Sequence, residues 1–240
     1  MNLTIDAGNT SIKVLVFEGD NPVYRHACKS LSTRYLQSLR RSFTIEEGMI
    51  SSVIHLSPAV KKHLKSMGVR ELTERTKIPV KNLYKTPSTL GKDRLANVIA
   101  ASFLFPGKNI LVVDCGTCIK YDLLQNGKIY RGGSISPGLE MRFNALHRFT
   151  GKLPRVESRN PNKLIGNTTV TAIQTGVFNG IIGEINEVIS RYRKQYPGLK
   201  VIITGGDAHR FVGQLNLSIF AASDLVNLGL NEIIKYGQKI

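Results

Sequence analysis

Apolar and polar positions repeat one design twice along the chain. Residues 5–13 read IDAGNTSIK and residues 113–120 read VDCGTCIK, one residue shorter. Each stretch opens on an apolar run ending in Asp, turns at Gly and Thr, and resumes with alternating apolar residues. These are Ile12, Val14 and Val16 in the first copy and Ile119, Tyr121 and Leu123 in the second. Period-two alternation on either side of a Gly-containing turn predicts a β-hairpin in each copy. Further turns at 18–21 and 125–128 then lead into third strands carrying Tyr24-Arg25 and Tyr130-Arg131.

Between and after the copies the period changes to that of helices. Helices are predicted over 32–41 and 58–67, with a strand at 49–54 between them, and over 137–149 after the second copy. A longer helix over 168–192 carries Val170, Ile173, Val177, Ile181, Ile185 and Val188 on a three-to-four residue rhythm. A strand at 200–204 ends in Gly205-Gly206, and a closing helix runs through Leu225, Leu228 and Ile233. The pattern is mixed α/β, with two lobes that begin alike. Pro106 and Gly107 interrupt the helical pattern, which sets the domains at 1–106 and 107–240.

Composition and charge narrow this picture. With 240 residues and 42% hydrophobic content, the chain can bury one large core or two modest ones. Its apolar stretches, such as 98–105 and 108–113, are far shorter than the roughly 20 residues of a membrane span, so no membrane association is expected. The N-terminus lacks the basic and then long apolar run of a secretory signal, and Cys28, Cys115 and Cys118 are too few for a disulfide framework; both features suggest the cytoplasm. A formal charge of +16 favours anionic partners. The basic residues come at most in pairs, as at Arg40-Arg41 and Lys61-Lys62, and aromatics are sparse, so nucleic acid is not the expected partner.

Phosphorylated small molecules fit the charge better, and the two hairpins supply the chemistry. A tight Gly turn lets backbone N–H groups approach an anion, and a neighbouring Thr or Asn adds a side-chain donor. An Asp ending the preceding strand would repel bare phosphate. Its presence at Asp6 and Asp114 suggests hydrated Mg²⁺ between carboxylate and phosphate. D-x-G is also common turn chemistry, but two copies in matching strand contexts favour a polyphosphate gripped from both sides.

On these residues the chain resembles the superfamily of actin, sugar kinases and Hsp70-like ATPases, whose lobes each open on a phosphate-binding hairpin. The late turn at 202–207, IITGGD, is similar to that superfamily's adenosine-contacting turn. The resemblance implies a two-lobed actin-like (ribonuclease H-like) α/β fold with duplicated domains. Two further segments, YKTPSTLGKDRLAN at 84–97 and GGSISPGL at 132–139, resemble the motifs of type III pantothenate kinases. That family phosphorylates pantothenate with ATP in the first step of coenzyme A biosynthesis.

The resemblance implies a homodimer, ATP as co-substrate, Mg²⁺, and a monovalent cation, K⁺ or NH₄⁺, at Asp114. It makes Asp93 the catalytic base, with Gly91, Lys92, Arg94 and Tyr84 around pantothenate. Thr169, or its neighbour Thr168, would also contact that substrate. Asp6, Ala7, Gly8, Asn9, Thr10, Ser11, Ile12 and Lys13 would form the first phosphate loop, with Asp6 also facing the divalent ion. Thr117 would meet ATP phosphate, and Gly205 and Gly206 the adenosine. From spacing alone, Asp93 reads equally as the cap of a helix over 94–105 with Arg94 solvated.

Two residues depart from the family pattern. Cys118 stands where a small residue, often Ala, is usual, and Lys120 where Thr is expected, a change able to alter nucleotide affinity or local metal charge. The C-x-x-C spacing of Cys115 and Cys118 falls within a hairpin turn, whereas a thioredoxin-type motif opens a helix, and no second ligand pair follows. The five histidines show no metal spacing. The alternatives to a pantothenate kinase are a kinase of another small hydroxylated acid and a non-catalytic ATP-binding regulator. The latter would be marked by loss of the base, and Asp93 is present.

Overall fold

A computed structural model describes residues 1–215 and 219–239. The chain divides into two compact units: Met1–Gly107 with Leu124–Gly132 and Asp224–Ile240, and Lys108–Leu123 with Gly133–Ser223.

The first unit begins with β1 (Asn2–Ala7), β2 (Ile12–Glu18) and β3 (Asn21–Cys28), an antiparallel meander. There follow α1 (Thr33–Ser42), β4 (Glu47–Ser52), α2 (Pro58–Ser66), β5 (Val69–Glu71), β6 (Lys81–Asn82) and α3 (Lys92–Leu104). The five-stranded sheet has the order β3-β2-β1-β4-β5, with β4 and β5 added in parallel. The helices start where hydroxyl caps stand: Ser32 Oγ accepts from the Tyr35 amide at 3.1 Å, and Ser57 Oγ from the Val60 amide at 3.3 Å, with Pro58 opening α2. Leu3, Ile5, Val14, Val16, Leu36, Ile50 and Leu64 form this unit's core.

The second unit holds β7 (Ile110–Cys115), most of β8 (Cys118–Gln125) and β9 (Ile129–Pro137), α4 (Leu139–Arg148), α5 (Thr169–Gln195), β10 (Lys200–Thr204) and β11 (Phe220–Ala221). Its strands run in the order β11-β10-β7-β8-β9. The far ends of β8 and β9 and their turn belong to the first unit, where β6 pairs with β9 at Lys81↔Ile129 and Asn82↔Tyr130. Leu111, Val113, Cys115, Ile119, Tyr121, Val201 and Ile203 face one side of the sheet and meet Phe143, Phe178, Ile181 and Ile185 from α4 and α5. α4 begins at Leu139, two residues after the expected start, because β9 runs through Pro137 and Gly138 serves as the cap.

The closing helix α6 (Leu225–Gly237) lies in the first unit, although the sequence places all of 107–240 in one domain. Its polar side chains explain the difference. Asn227 Nδ2 donates to Thr4 O at 3.2 Å, Thr4 Oγ1 at 3.1 Å and Lys13 O at 3.3 Å. Asn231 Nδ2 donates to Gly19 O at 2.9 Å, and Asn2 Nδ2 donates to Asn231 Oδ1 at 2.9 Å. Gly229 is in tight contact with the backbone of Ala96 in α3, where any side chain would overlap the carbonyl. A helix seen only through its apolar spacing reveals none of these partners.

Candidate active site

In the first unit the turn between β1 and β2 is closed by Gly8 N–H donating to Ser11 O at 3.2 Å. Ala7 pairs with Ile12 as the buried stem, while Asn9 and Thr10 are exposed at the tip. Asp6 lies partly exposed at the end of β1, across from Lys13 in the ladder. Lys13 Nζ is 4.0 Å from Asp224 Oδ1, and Arg25 Nε donates to Asp224 Oδ2 at 3.1 Å. A carboxylate bordering a turn of backbone N–H groups and hydroxyls suits a hydrated divalent ion and its phosphate.

The second cluster of this unit surrounds the start of α3. Gly91 caps the helix and Asp93 lies in its first turn, with Oδ1 accepting from the Arg94 amide at 2.9 Å. A negative charge at this end is favoured by the helix dipole. A Cβ at Gly91 would come within 2.6 Å of Asp93 Oδ1, so glycine here gives the carboxylate its room. Lys92 Nζ donates to Pro87 O at 3.3 Å and lies 3.7 Å from Glu74 Oε2.

Arg94 is 4% exposed, which removes the solvated arginine of the capping alternative. Its guanidinium carbon lies 5.5 Å from the Tyr84 ring centroid, a cation–π contact. Tyr84 in turn stacks on Tyr130, with centroids 6.2 Å apart and planes within 6°. Gly132, at φ +95°, brings backbone close to the same ring, where a Cβ would lie 3.3 Å from Tyr84 Cδ2. Tyr84, Asp93, Arg94 and Gly132 thus come together from three separated stretches of sequence.

In the second unit Gly116 N–H donates to Cys118 O at 3.1 Å, closing the turn that leaves Thr117 exposed. Gly138 N–H donates to Thr117 O at 3.1 Å, and a Cβ at Gly138 would overlap the backbone of Gly116 and Thr117. The GGSISPGL segment is therefore fastened to the phosphate turn. Gly205, at φ +98°, lies against the Cys115 carbonyl, and the Asp207 amide donates to that carbonyl at 2.9 Å. The turn expected to meet adenosine thus lies beside the turn expected to meet phosphate. Burial pushes the Asp207 carboxyl above its ordinary range, against the pull of Arg210.

Asp114 is the next-to-last residue of β7 and is 8% exposed. Lys120 Nζ donates to its Oδ2 at 2.8 Å. The monovalent cation expected at Asp114 does not fit this donor set, because the carboxylate already carries an ammonium partner. Cys115 is buried, and burial together with the Asp114 charge pushes its thiol well above the ordinary value, the reverse of a reactive cysteine. At the start of α5, Thr168 is the cap: its Oγ1 accepts from the Thr171 amide at 3.1 Å, and Thr171 Oγ1 accepts from the Thr168 amide at 3.0 Å. Thr169, the next residue, lies exposed outside that reciprocal pair.

Sequence reasoning missed Glu184. Its carboxylate accepts from Tyr121 Oη at 2.8 Å, from Ser136 Oγ at 2.5 Å and from the Arg142 guanidinium, joining α5, β8, β9 and α4. Burial alone would raise its pKa, but the bonds from Ser136, Arg142 and Tyr121 hold it below the ordinary 4.5. The available signal was an acidic residue between Ile181 and Ile185 on an otherwise apolar stripe of the helix.

In each unit an opening hairpin runs from a strand-ending Asp into a Gly turn, and the second unit adds a positive-φ glycine turn beside it. Together with the mixed α/β sheets, this is the fold of the actin-like ATPases and sugar kinases. Two solved structures share it. A Campylobacter jejuni protein described as a Baf family transcriptional activator superposes with a TM-score of 0.63 at 20% identity, over 99% of this chain and 100% of its own. A Listeria monocytogenes protein described as an N-acetylmannosamine kinase gives 0.56 at 13% identity, over 99% of both chains.

Sequence comparison narrows the class. The family model described as type III pantothenate kinase matches residues 2–191, and a type III pantothenate kinase from Phocaeicola vulgatus is 43% identical over 242 residues, covering 100% of both chains. The chain belongs to the type III pantothenate kinase family.

Proposed function

We propose that this protein transfers the γ-phosphoryl group of ATP to the primary hydroxyl of pantothenate, giving 4'-phosphopantothenate and ADP, the first step of coenzyme A biosynthesis. The observation that carries the reading is the full-length match to the family together with the cluster of Tyr84, Asp93, Arg94 and Gly132.

In this reading Asp93 accepts the hydroxyl proton as the new O–P bond forms and the bond from the γ-phosphorus to the β–γ bridging oxygen breaks. Its bond from the Arg94 amide and the room left by Gly91 set its orientation. The buried guanidinium of Arg94 holds the Tyr84 ring, which forms an apolar wall for the pantothenate backbone and makes Arg94 a positioning residue. Lys92 contributes positive charge for the substrate's carboxylate, and Thr169 a hydroxyl. Residues 6–13 and Thr117 supply N–H and O–H donors to the polyphosphate, and Gly205 and Gly206 admit adenosine close to backbone. Asp6 would hold Mg²⁺ through water, and the ion would neutralise charge on the phosphates.

A homodimer is carried over from the resemblance to the family, and a cytoplasmic location from the sparse cysteines. Among the described residues, no helix is long and apolar enough to cross a membrane. The test is ADP release with pantothenate and ATP. Wild type should turn over, and Asp93→Ala should lose roughly 10²–10⁴ in kcat, as for a typical general base. Turnover absent with pantothenate, or retained in Asp93→Ala, would refute the assignment.

A further inference from the structure

We infer that Lys120 is a built-in cation: its ammonium takes the place of a bound monovalent ion at Asp114, so the phosphoryl transfer proposed above runs without K⁺ or NH₄⁺. The strand pleat puts the pair together. Successive side chains alternate across a sheet. Val113 and Cys115 of β7, and Ile119 and Tyr121 of β8, all point into the second unit's core. Asp114 and Lys120 must therefore share the opposite face, where their charged atoms meet at 2.8 Å.

Both side chains are largely withdrawn from water, at 11% exposure for Asp114 and 17% for Lys120. A carboxylate so placed requires a cationic partner. A lysine ammonium is close in size to K⁺ and NH₄⁺ and approaches a carboxylate oxygen at a similar distance. Covalent attachment replaces a binding equilibrium with an intramolecular contact of high effective concentration. A free cation would meet repulsion from the resident ammonium. The position also matters: Asp114 Oδ1 lies against the Gly205 turn, where a Cβ would come within 2.6 Å, so the resident charge borders the turn proposed to hold nucleotide.

The experiment compares wild type with Lys120→Thr and Lys120→Met at constant ionic strength, with tetramethylammonium, K⁺ or NH₄⁺ as the only monovalent cation. ADP release and the melting temperature of the substrate-free protein are both read. Wild-type turnover should stay within about threefold across the three ions, while Lys120→Thr should lose roughly 10²-fold in tetramethylammonium and regain activity with K⁺ or NH₄⁺. Melting should show a K⁺-specific rise in Lys120→Thr and none in wild type. Activation of wild type by K⁺ beyond about threefold, or a Lys120→Thr enzyme as indifferent to K⁺ as wild type, would overturn the inference. If wild type shows no turnover with pantothenate, the kinase reading fails and melting alone decides. A K⁺-specific rise confined to Lys120→Thr supports the built-in cation, and any other melting pattern sinks it. If Lys120→Thr does not fold, Lys120→Met is read by the same criteria. If neither variant folds, the ion dependence of wild type decides.

Discussion

Removing the Glu184 carboxylate should loosen the second unit by an amount that follows from its three donors. In Glu184→Ala, Ser136 and Arg142 are partly exposed and can turn to water, so their loss counts little. Tyr121 cannot do the same: it is 1% exposed, and its hydroxyl would be left buried without its acceptor. An unsatisfied buried hydroxyl costs about 1–3 kcal/mol, and a lost charge-assisted bond is worth about 1.5–3 kcal/mol. The two descriptions overlap, so about 2–3 kcal/mol in total is expected, or a melting temperature lower by about 5–10 °C for a chain of this size.

Thermal and urea unfolding of Glu184→Ala, Tyr121→Phe and the double variant test the reasoning. Tyr121→Phe removes the stranded donor, so the double variant should recover about 1 kcal/mol relative to the sum of the singles. The sign of the pH effect follows from the lowered folded-state pKa. The stabilisation from Glu184 is fully present above its ordinary value of 4.5 and is lost as pH falls through the lower folded value. The gap between wild type and Glu184→Ala should therefore close in acid. Strict additivity, or a gap that widens as pH falls, would refute the account.

Two other variants test the first unit. Gly91→Ala should lower kcat by about 10–100-fold with little change in melting temperature, because the added methyl displaces the Asp93 carboxylate while the helix persists; steady-state ADP release with a parallel melt separates the two effects. Asn227→Ala should cost about 2–3 kcal/mol in urea unfolding, since it removes one amide nitrogen that bridges the Thr4 carbonyl, the Thr4 hydroxyl and the Lys13 carbonyl.

Turn chemistry and side-chain period carry information within a few residues of where they act, and the features they govern were legible. The two Asp-Gly-Thr hairpins, the capped starts of α1, α2 and α5, and β10 at Lys200–Thr204 all lie where local pattern placed them. The family motifs at 84–97 and 132–139 were equally visible, because a short run of residue types is a property of the chain alone.

Tertiary structure decided the rest. The apolar spacing of α6 is satisfied by any apolar surface, and the amide bonds of Asn227 and Asn231 together with the close fit of Gly229 on Ala96 assign it to the first unit. Spacing alone left Arg94 open between a solvated and a site residue until the fold buried it against the Tyr84 ring, and nothing singled out Glu184 until Tyr121, Ser136 and Arg142 converged on it. Lys120 was conspicuous as a residue type, but its effect on Asp114 depended on two neighbouring strands presenting both side chains on one face. Local sequence determines which elements form because backbone and period act over one turn or one strand. The partner of a buried charge is set by distances across the fold, which no local pattern encodes.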